Sequence, residues 1–328
     1  MIVFEAAAAP IVRVGESEIG GRRIAGRLLP YGAEAGPRPF RFDPLAGRFV
    51  SRKTEAAVAV GPANPEAWRE AVGKLPPGPV LVGPGSPAEE VRGAYLAAAE
   101  GALSAGRPVY LLDPEPAGLP SQAGGAVVLC SFAAGGPEAF PGLREASSRG
   151  LACAVLLPLI PAWTAETESL VTLLLEAAAG GARSACALIP ASDGESRRAI
   201  VEARGELDSE GADRFFELIH HGDWAARMTE RLAEARALCR KHGLAVLPPR
   251  AVGRREPPGN AAAAAHMEER AELGELDEHR TALLQAAVRW IDESGRDLSA
   301  VAREGNFRKI FPFGGEVAAE AEIALGAR

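Results

Sequence analysis

The chain has 328 residues, 47% of them apolar, and carries 43 acidic against 36 basic side chains, for a net charge of −7 and a pI near 5.5. That length and apolar content suffice for a sizeable core, in one large domain with an appendage or in two domains. The acidic balance and the lack of a basic stripe exclude nucleic acid as an expected partner, and no uninterrupted apolar run approaches the roughly 18–20 residues of a membrane span.

Residues 1–50 differ in texture from the rest of the chain. The start, MIVFEAAAAPIV, lacks the basic n-region of a secretory leader, so the expected location is cytoplasmic. Two β-like runs flank Gly20-Gly21 and predict a hairpin; Phe40–Pro44 predicts a further strand entering a turn. This stretch is expected to be a β-rich N-terminal extension.

The stretch Val58–Pro65 (VAVGPANP) then recurs as Val80–Pro87 (VLVGPGSP). Each copy reads as a short apolar strand, a Gly-Pro turn and a helix start. Asn64 and Ser86 stand at N-cap positions, with Pro65 and Pro87 at the first helical position, where a missing N–H costs nothing. Glu89, three residues after Ser86, completes a capping-box pattern. Two successive units of this kind predict parallel strands joined by helical crossovers.

Strands are expected at Ala57–Gly61, Pro79–Gly83, Pro108–Leu112, Ala126–Ser131, Ala152–Leu157, Ser184–Ile189 and Ala245–Leu247. Most are short and apolar at both parities, as strands covered on both faces are. Helices are expected at Pro65–Val72, Pro87–Ser104, Pro137–Ser148, Thr164–Ala179 and Ala212–His242, the last broken near Gly222. The alternation argues for an α/β barrel or a doubly wound sheet, and the fold expected is a parallel (βα) partial or closed TIM-like barrel over residues 51–253. RREPPGNA at 254–261 reads as a linker opening a helical, acidic tail over 254–328.

Of the four cysteines, Cys130, Cys153 and Cys186 each fall within an apolar strand (AVVLCS, ACAVLL, SACALI), where a free thiol behaves as a small hydrophobe. No C-x-x-C spacing occurs, so neither a structural zinc nor a cysteine-held cluster is expected. His220, His221 and Asp223 are the one compact set of possible metal ligands. Adjacent histidines on a helix point about 100° apart, so no metal is expected. G-x-S-x-G, Walker A and G-x-G-x-x-G motifs are all missing, which removes the usual support for nucleophilic hydrolysis, NTP hydrolysis and dinucleotide binding.

Residues 79–190 resemble the barrel of the radical SAM superfamily, in particular the spore photoproduct lyase or DNA-repair-photolyase-like group. The resemblance rests on VLVGPGSPAEE with its long helix and RPVYLLD, and on LACAVLLPLIPAWTAETESL leading to LLEAAAGGA. It implies a partial barrel and a SAM-like ligand, with Glu90 at the position of the acidic residue that meets the SAM amino group. The family's three-cysteine C-x-x-x-C-x-x-C loop follows the first barrel strand; here that place holds GPANPEAWREAV. Without thiolates no iron–sulfur cluster is expected. The resemblance therefore implies a degenerate relative, a non-catalytic or accessory protein that binds a small molecule or a protein partner.

In parallel α/β folds ligands bind at the carboxyl ends of the strands. Asn64, Ser86, Glu90, Ser131 and Trp163 are the expected ligand-binding residues on that rim. Asp113, Glu115 and Asp193 are catalytic candidates if the protein is instead an enzyme with cluster-independent carboxylate chemistry; Ser192 lies on the same face. The helix starts at Asn64 and Ser86 could hold an anion or could simply be capped. A third alternative is an interaction module acting through the acidic tail, where Asn306–Phe313 (NFRKIFPF) sets three phenylalanines beside two cations. An exposed apolar patch over residues 281–313 would favour it.

Overall fold

The computed structural model describes all residues except 1–2, 8, 33–40, 44–47, 51–56, 87, 116–117, 121–124, 135–137, 191–197, 199, 202–212, 214–223, 254–255, 274–275 and 326–328. They form two compact units, Met1–Ala251 and Val252–Arg328. The first is α/β and the second helical.

The α/β unit is built on a seven-stranded sheet. Its strands are β2 (Ile11–Ile19), β3 (Arg22–Leu29), β7 (Val80–Val82), β8 (Val109–Leu112), β9 (Ala126–Ser131), β10 (Ala152–Pro158) and β11 (Ser184–Leu188). The spatial order is β2-β3-β7-β8-β9-β10-β11. From β3 onward every pair is parallel; β2 alone is antiparallel, as the hairpin partner of β3. The hairpin turns at Gly20-Gly21, whose φ values of 55° and 83° suit glycine. The strands follow one another across the sheet in chain order, with β4–β6 set aside in other sheets, and the order never reverses. The sheet thus has no switch point of the doubly wound kind. It is open: β2 and β11 are its edges, so the closed form of the expected barrel is not made.

The crossover helices are α1 (Pro65–Gly73), α2 (Glu89–Ser104), α3 (Leu143–Ser148), α4 (Thr167–Ala179) and α5 (Trp224–Lys241). Strand alternation puts Leu81, Tyr110, Leu112, Val127, Leu129, Ala154, Leu156 and Cys186 on one face. They form a core with Ile19, Ile24 and Ala251, to which no helix contributes among the described residues. The intervening Val80, Val82, Val109, Leu111, Val128 and Val155 are just as buried. They face the helices. Burial on both faces is why these strands read as continuous apolar runs.

The segment Leu247–Ala251 lies against the face that carries Tyr110. The Tyr110 hydroxyl donates to the Pro249 carbonyl (3.3 Å) and accepts from the Ala251 N–H (3.2 Å), while Arg22 Nε donates to the Pro248 carbonyl (2.8 Å). A Cβ on Gly20 would stand 3.1 Å from Pro248 Cγ and 3.3 Å from Leu156 Cδ2. The sheet therefore curls until its hairpin meets the segment beside β11. The strand expected at Ala245–Leu247 is reduced to one parallel bridge, Ser184 to Ala245.

The repeated units do not lie side by side. The first copy's strand, β6 (Ala57–Val60), pairs in parallel with β1 (Val3–Ala6) in a separate two-stranded sheet. Its other edge meets the exit from β3, through Gly32 N–H to the Ala59 carbonyl and Gly61 N–H to the Pro30 carbonyl. Both edges of β6 are taken, and β3 occupies the place beside β7. Residues expected to be an N-terminal extension thus supply two strands of the main sheet. A short pair, β4 (Arg41–Asp43) and β5 (Arg48–Val50), is antiparallel.

The helical unit comprises α6 (Pro258–Glu272), α7 (Glu278–Glu293), α8 (Leu298–Arg303), α9 (Phe307–Ile310) and α10 (Gly315–Ala324). Asp277 and Asp297 cap α7 and α8, each accepting from the backbone N–H three residues on. Phe307 and Phe311 stack at 4.7 Å, and Trp290 meets Phe311 edge-on at 5.3 Å, within one core with Met267, Leu284 and Ile291. No described helix is long and apolar enough to cross a membrane.

Candidate functional site

The parallel strands deliver their carboxyl ends to one side of the sheet. There Ser86 follows β7, Asp113 follows β8, Ser131 ends β9 and Trp163 follows β10. The Asp113 carboxylate is 4% exposed and accepts a 2.6 Å hydrogen bond from the Ser131 N–H. Its backbone is left-handed, at φ 47°, a region costly for most side chains and better tolerated by Asp. The Asp113 N–H continues the ladder to the Leu129 carbonyl at 2.8 Å. The chain thus turns at Asp113 while the side chain reaches across to the end of the next strand.

Ser131 shares the face of Val127 and Leu129, in register with Leu156. Its hydroxyl is buried and has no hydrogen-bond partner among the described residues. A buried unpaired hydroxyl is costly and marks a place where a ligand or water belongs.

The loop after β7 is pressed onto the same turn. Gly85 N–H donates to the Leu112 carbonyl at 3.0 Å, and a Cβ on Gly85 would lie 2.3 Å from the Asp113 carbonyl oxygen. This close approach explains the glycine and alters the expected helix start. Residues 83–86 stay non-helical, α2 begins at Glu89, and its N-cap is Ala88 without a side-chain bond. Ser86 is 2% exposed and accepts from the Ala88 N–H at 3.3 Å in a local turn, so the capping box does not form. Pro87 lies outside the described residues.

The other expected rim residues separate from this pair. Asn64 caps α1 as its position implies, accepting from the Glu66 N–H at 3.0 Å, but it is exposed and follows β6, outside the main sheet. Glu90 is exposed in the first turn of α2. Glu115 lies beyond the Asp113 turn, its carbonyl accepting from the Gly118 N–H. Asp193, Ser192, His220, His221 and Asp223 lie outside the described residues. No group of three metal-ligating side chains occurs among the described ones.

Comparison with protein-family models, with curated proteins and with solved structures returned no match. No homologue therefore supports the radical SAM resemblance, which rests on the residues quoted for it.

Residues that the sequence did not single out complete the rim. Phe132 meets Trp163 edge-on at 5.6 Å and Phe140 at 6.3 Å, so Trp163 packs against the strand-end loops. Thr164 is fully buried; its hydroxyl donates to the Pro158 carbonyl and accepts from the Ile160 N–H. That bond holds the chain in a turn, with Ala162 at φ 54°, and delays α4 to Thr167. A Thr four residues after an N–H that a strand has just released is the local signal for it.

All four cysteines are buried. Register places Cys130 beside Val155 and Cys186 beside Leu156. Cys130 and Cys153 therefore face the helices, and Cys186 faces the other way. Burial pushes the Cys153 and Cys239 thiols up to about 11, away from the thiolate that metals and electrophiles require.

In the helical unit, the NFRKIFPF segment is absorbed into the unit's own core, with Phe307 1% and Phe311 6% exposed. The large exposed hydrophobics of the described residues are Val14, Leu175, Ile189 and Ile323, none of them within 281–313. The apolar patch that would favour an interaction role for that stretch is not among them.

Proposed function

We propose that the α/β unit is a small-molecule-binding domain, built as an open partial (βα) barrel, with its site at the carboxyl ends of β7–β10. The carrying observation is the pair Asp113 and Ser131: a buried carboxylate on a left-handed turn, bonded across two strand ends, beside a buried hydroxyl with no partner among the described residues. Unsatisfied and strained groups of this kind concentrate where ligands bind. The unreversed strand order and the curl of the sheet support the partial-barrel reading. Placement of Cys130 and Cys153 on one face and Cys186 on the other supports a protein that works without an iron–sulfur cluster. The proposed role is accessory and non-catalytic, with a SAM-like compound as the first ligand to try, and neither nucleic acid nor membrane as partner.

Strain at Asp113 also favours a second reading, in which its carboxylate acts as an acid or base on the bound molecule. Native mass spectrometry of the purified protein, followed by thermal-shift titration with S-adenosylmethionine, tests the first reading. A retained compound, or a shift lost in Asp113→Asn and Ser131→Ala, supports it. A wild-type protein that retains nothing and shifts with no nucleoside or amino-acid derivative refutes it. Turnover of the retained compound by wild type but not by Asp113→Asn would replace it with the second.

A further inference from the structure

A hollow of about 390 Å³ lies between the loop after β10 and the first half of α5. That size is within the range of small-ligand sites. Pro161, Ala165 and Met228 make its apolar surface, and Ala165 and Met228 are 2% and 4% exposed.

Most of its charges are already engaged. Glu166 Oε1 accepts from the Ala162 N–H at 3.1 Å. Arg231 pairs with Glu234, and the Thr167 hydroxyl donates to Glu234 at 3.0 Å, tying α4 to α5. Two lining residues remain: Arg227 and Glu230, of opposite sign, one turn apart on α5, and paired neither with each other nor with another described residue.

From this we infer that the hollow is a binding site for a free apolar α-amino acid. The carboxylate of such a molecule meets Arg227, its ammonium group meets Glu230, and its side chain lies on Pro161, Ala165 and Met228. A carboxylate gains a planar two-point partner in the guanidinium. A singly charged ligand would answer only one of the two charges, whereas an amino acid answers both. This site is separate from the Asp113–Ser131 rim and does not depend on it.

The test is calorimetric titration of the whole protein with L-leucine, isocaproate (no amine) and isoamylamine (no carboxylate). Leucine is expected to bind at about 1 mM or tighter, and each half-molecule about tenfold more weakly. Arg227→Gln and Glu230→Gln are exposed substitutions on α5; each is expected to weaken leucine binding about tenfold, with unchanged circular dichroism. No heat with leucine in the millimolar range, equal binding of isocaproate or isoamylamine, or unchanged binding in both variants overturns the proposal.

Discussion

Asp113 carries two roles that substitution can separate. Its Oδ1 takes up the Ser131 N–H at 2.6 Å in a buried setting, and its backbone sits at φ 47°. Asp113→Ala removes the acceptor and leaves a buried N–H unpaired, a loss of about 1–3 kcal/mol, at the upper end because the acceptor is charged. It also places a Cβ-bearing residue without Asp's local hydrogen bonding in the left-handed region, for about 1 kcal/mol more. The expected total is about 3–4 kcal/mol. Asp113→Gly relieves the backbone but keeps the orphaned N–H, for about 2 kcal/mol. Asp113→Asn retains an oxygen and tolerates the conformation, so its cost is expected to stay within about 1 kcal/mol. Urea unfolding followed by ellipticity reads the order wild type, Asn, Gly, Ala. An Ala variant within about 1 kcal/mol of wild type, or an Asn variant as damaged as Ala, would refute the structural role. The folded Asn variant is then the right protein for the ligand experiment, because any loss of binding in it belongs to the charge.

Tyr110→Phe strips the partner from the Ala251 N–H and the Pro249 carbonyl; a destabilisation of about 1–3 kcal/mol is expected by urea unfolding, and a change indistinguishable from zero would mean the Leu247–Ala251 segment is held by packing alone. The Cys153 and Cys239 thiols, raised from 9.0 to about 11, deprotonate first in the unfolded chain; the stability they contribute is full below pH 9 and is lost as pH rises through 9 to 11, with Tyr110, also raised by burial, acting in the same direction. The urea midpoint should fall across that window, and thiol reagents should leave the native protein unlabelled below it. Gly101→Ala would put a Cβ 2.6 Å from the Pro65 carbonyl oxygen and 2.7 Å from Trp68 Cβ, where α1 crosses α2; a loss of about 2 kcal/mol or more is expected, and a stabilised variant, as helix propensity alone would give, would contradict the close crossing.

What could be read from the sequence was local. Gly20-Gly21 between alternating runs specified its hairpin, and Asn64 with Pro65 specified the start of α1, because turn and cap chemistry act within a few residues. The strands between Val80 and Leu188 were visible as short apolar runs, since burial on both faces removes polar residues from both parities. The start of α2 was misplaced for a reason that lies in another strand. Ser86 and Glu89 have the right spacing for a capping box, but Gly85 is held against Leu112 and Asp113, and that contact decides where the helix begins.

The pairing of strands was a different kind of information. VAVGPANP and VLVGPGSP carry the same local instructions, and each made a short parallel strand, but only the first led straight into a helix at its proline. Which strand lies beside β7 depended on which edges were free, and β6 had spent its edges on β1 and on the exit from β3. The same logic governs the site. Sequence alone marks Asp113 and Ser131 as strand-end residues among several others. Only the adjacency of β8 and β9 turns two of them into a bonded pair, while Asn64, equally a strand-end residue, is left outside because its strand joined another sheet. A rim site is therefore selected by strand order. Of the expected residues the structure describes, the two that face each other across neighbouring strands, Asp113 and Ser131, carry the proposal.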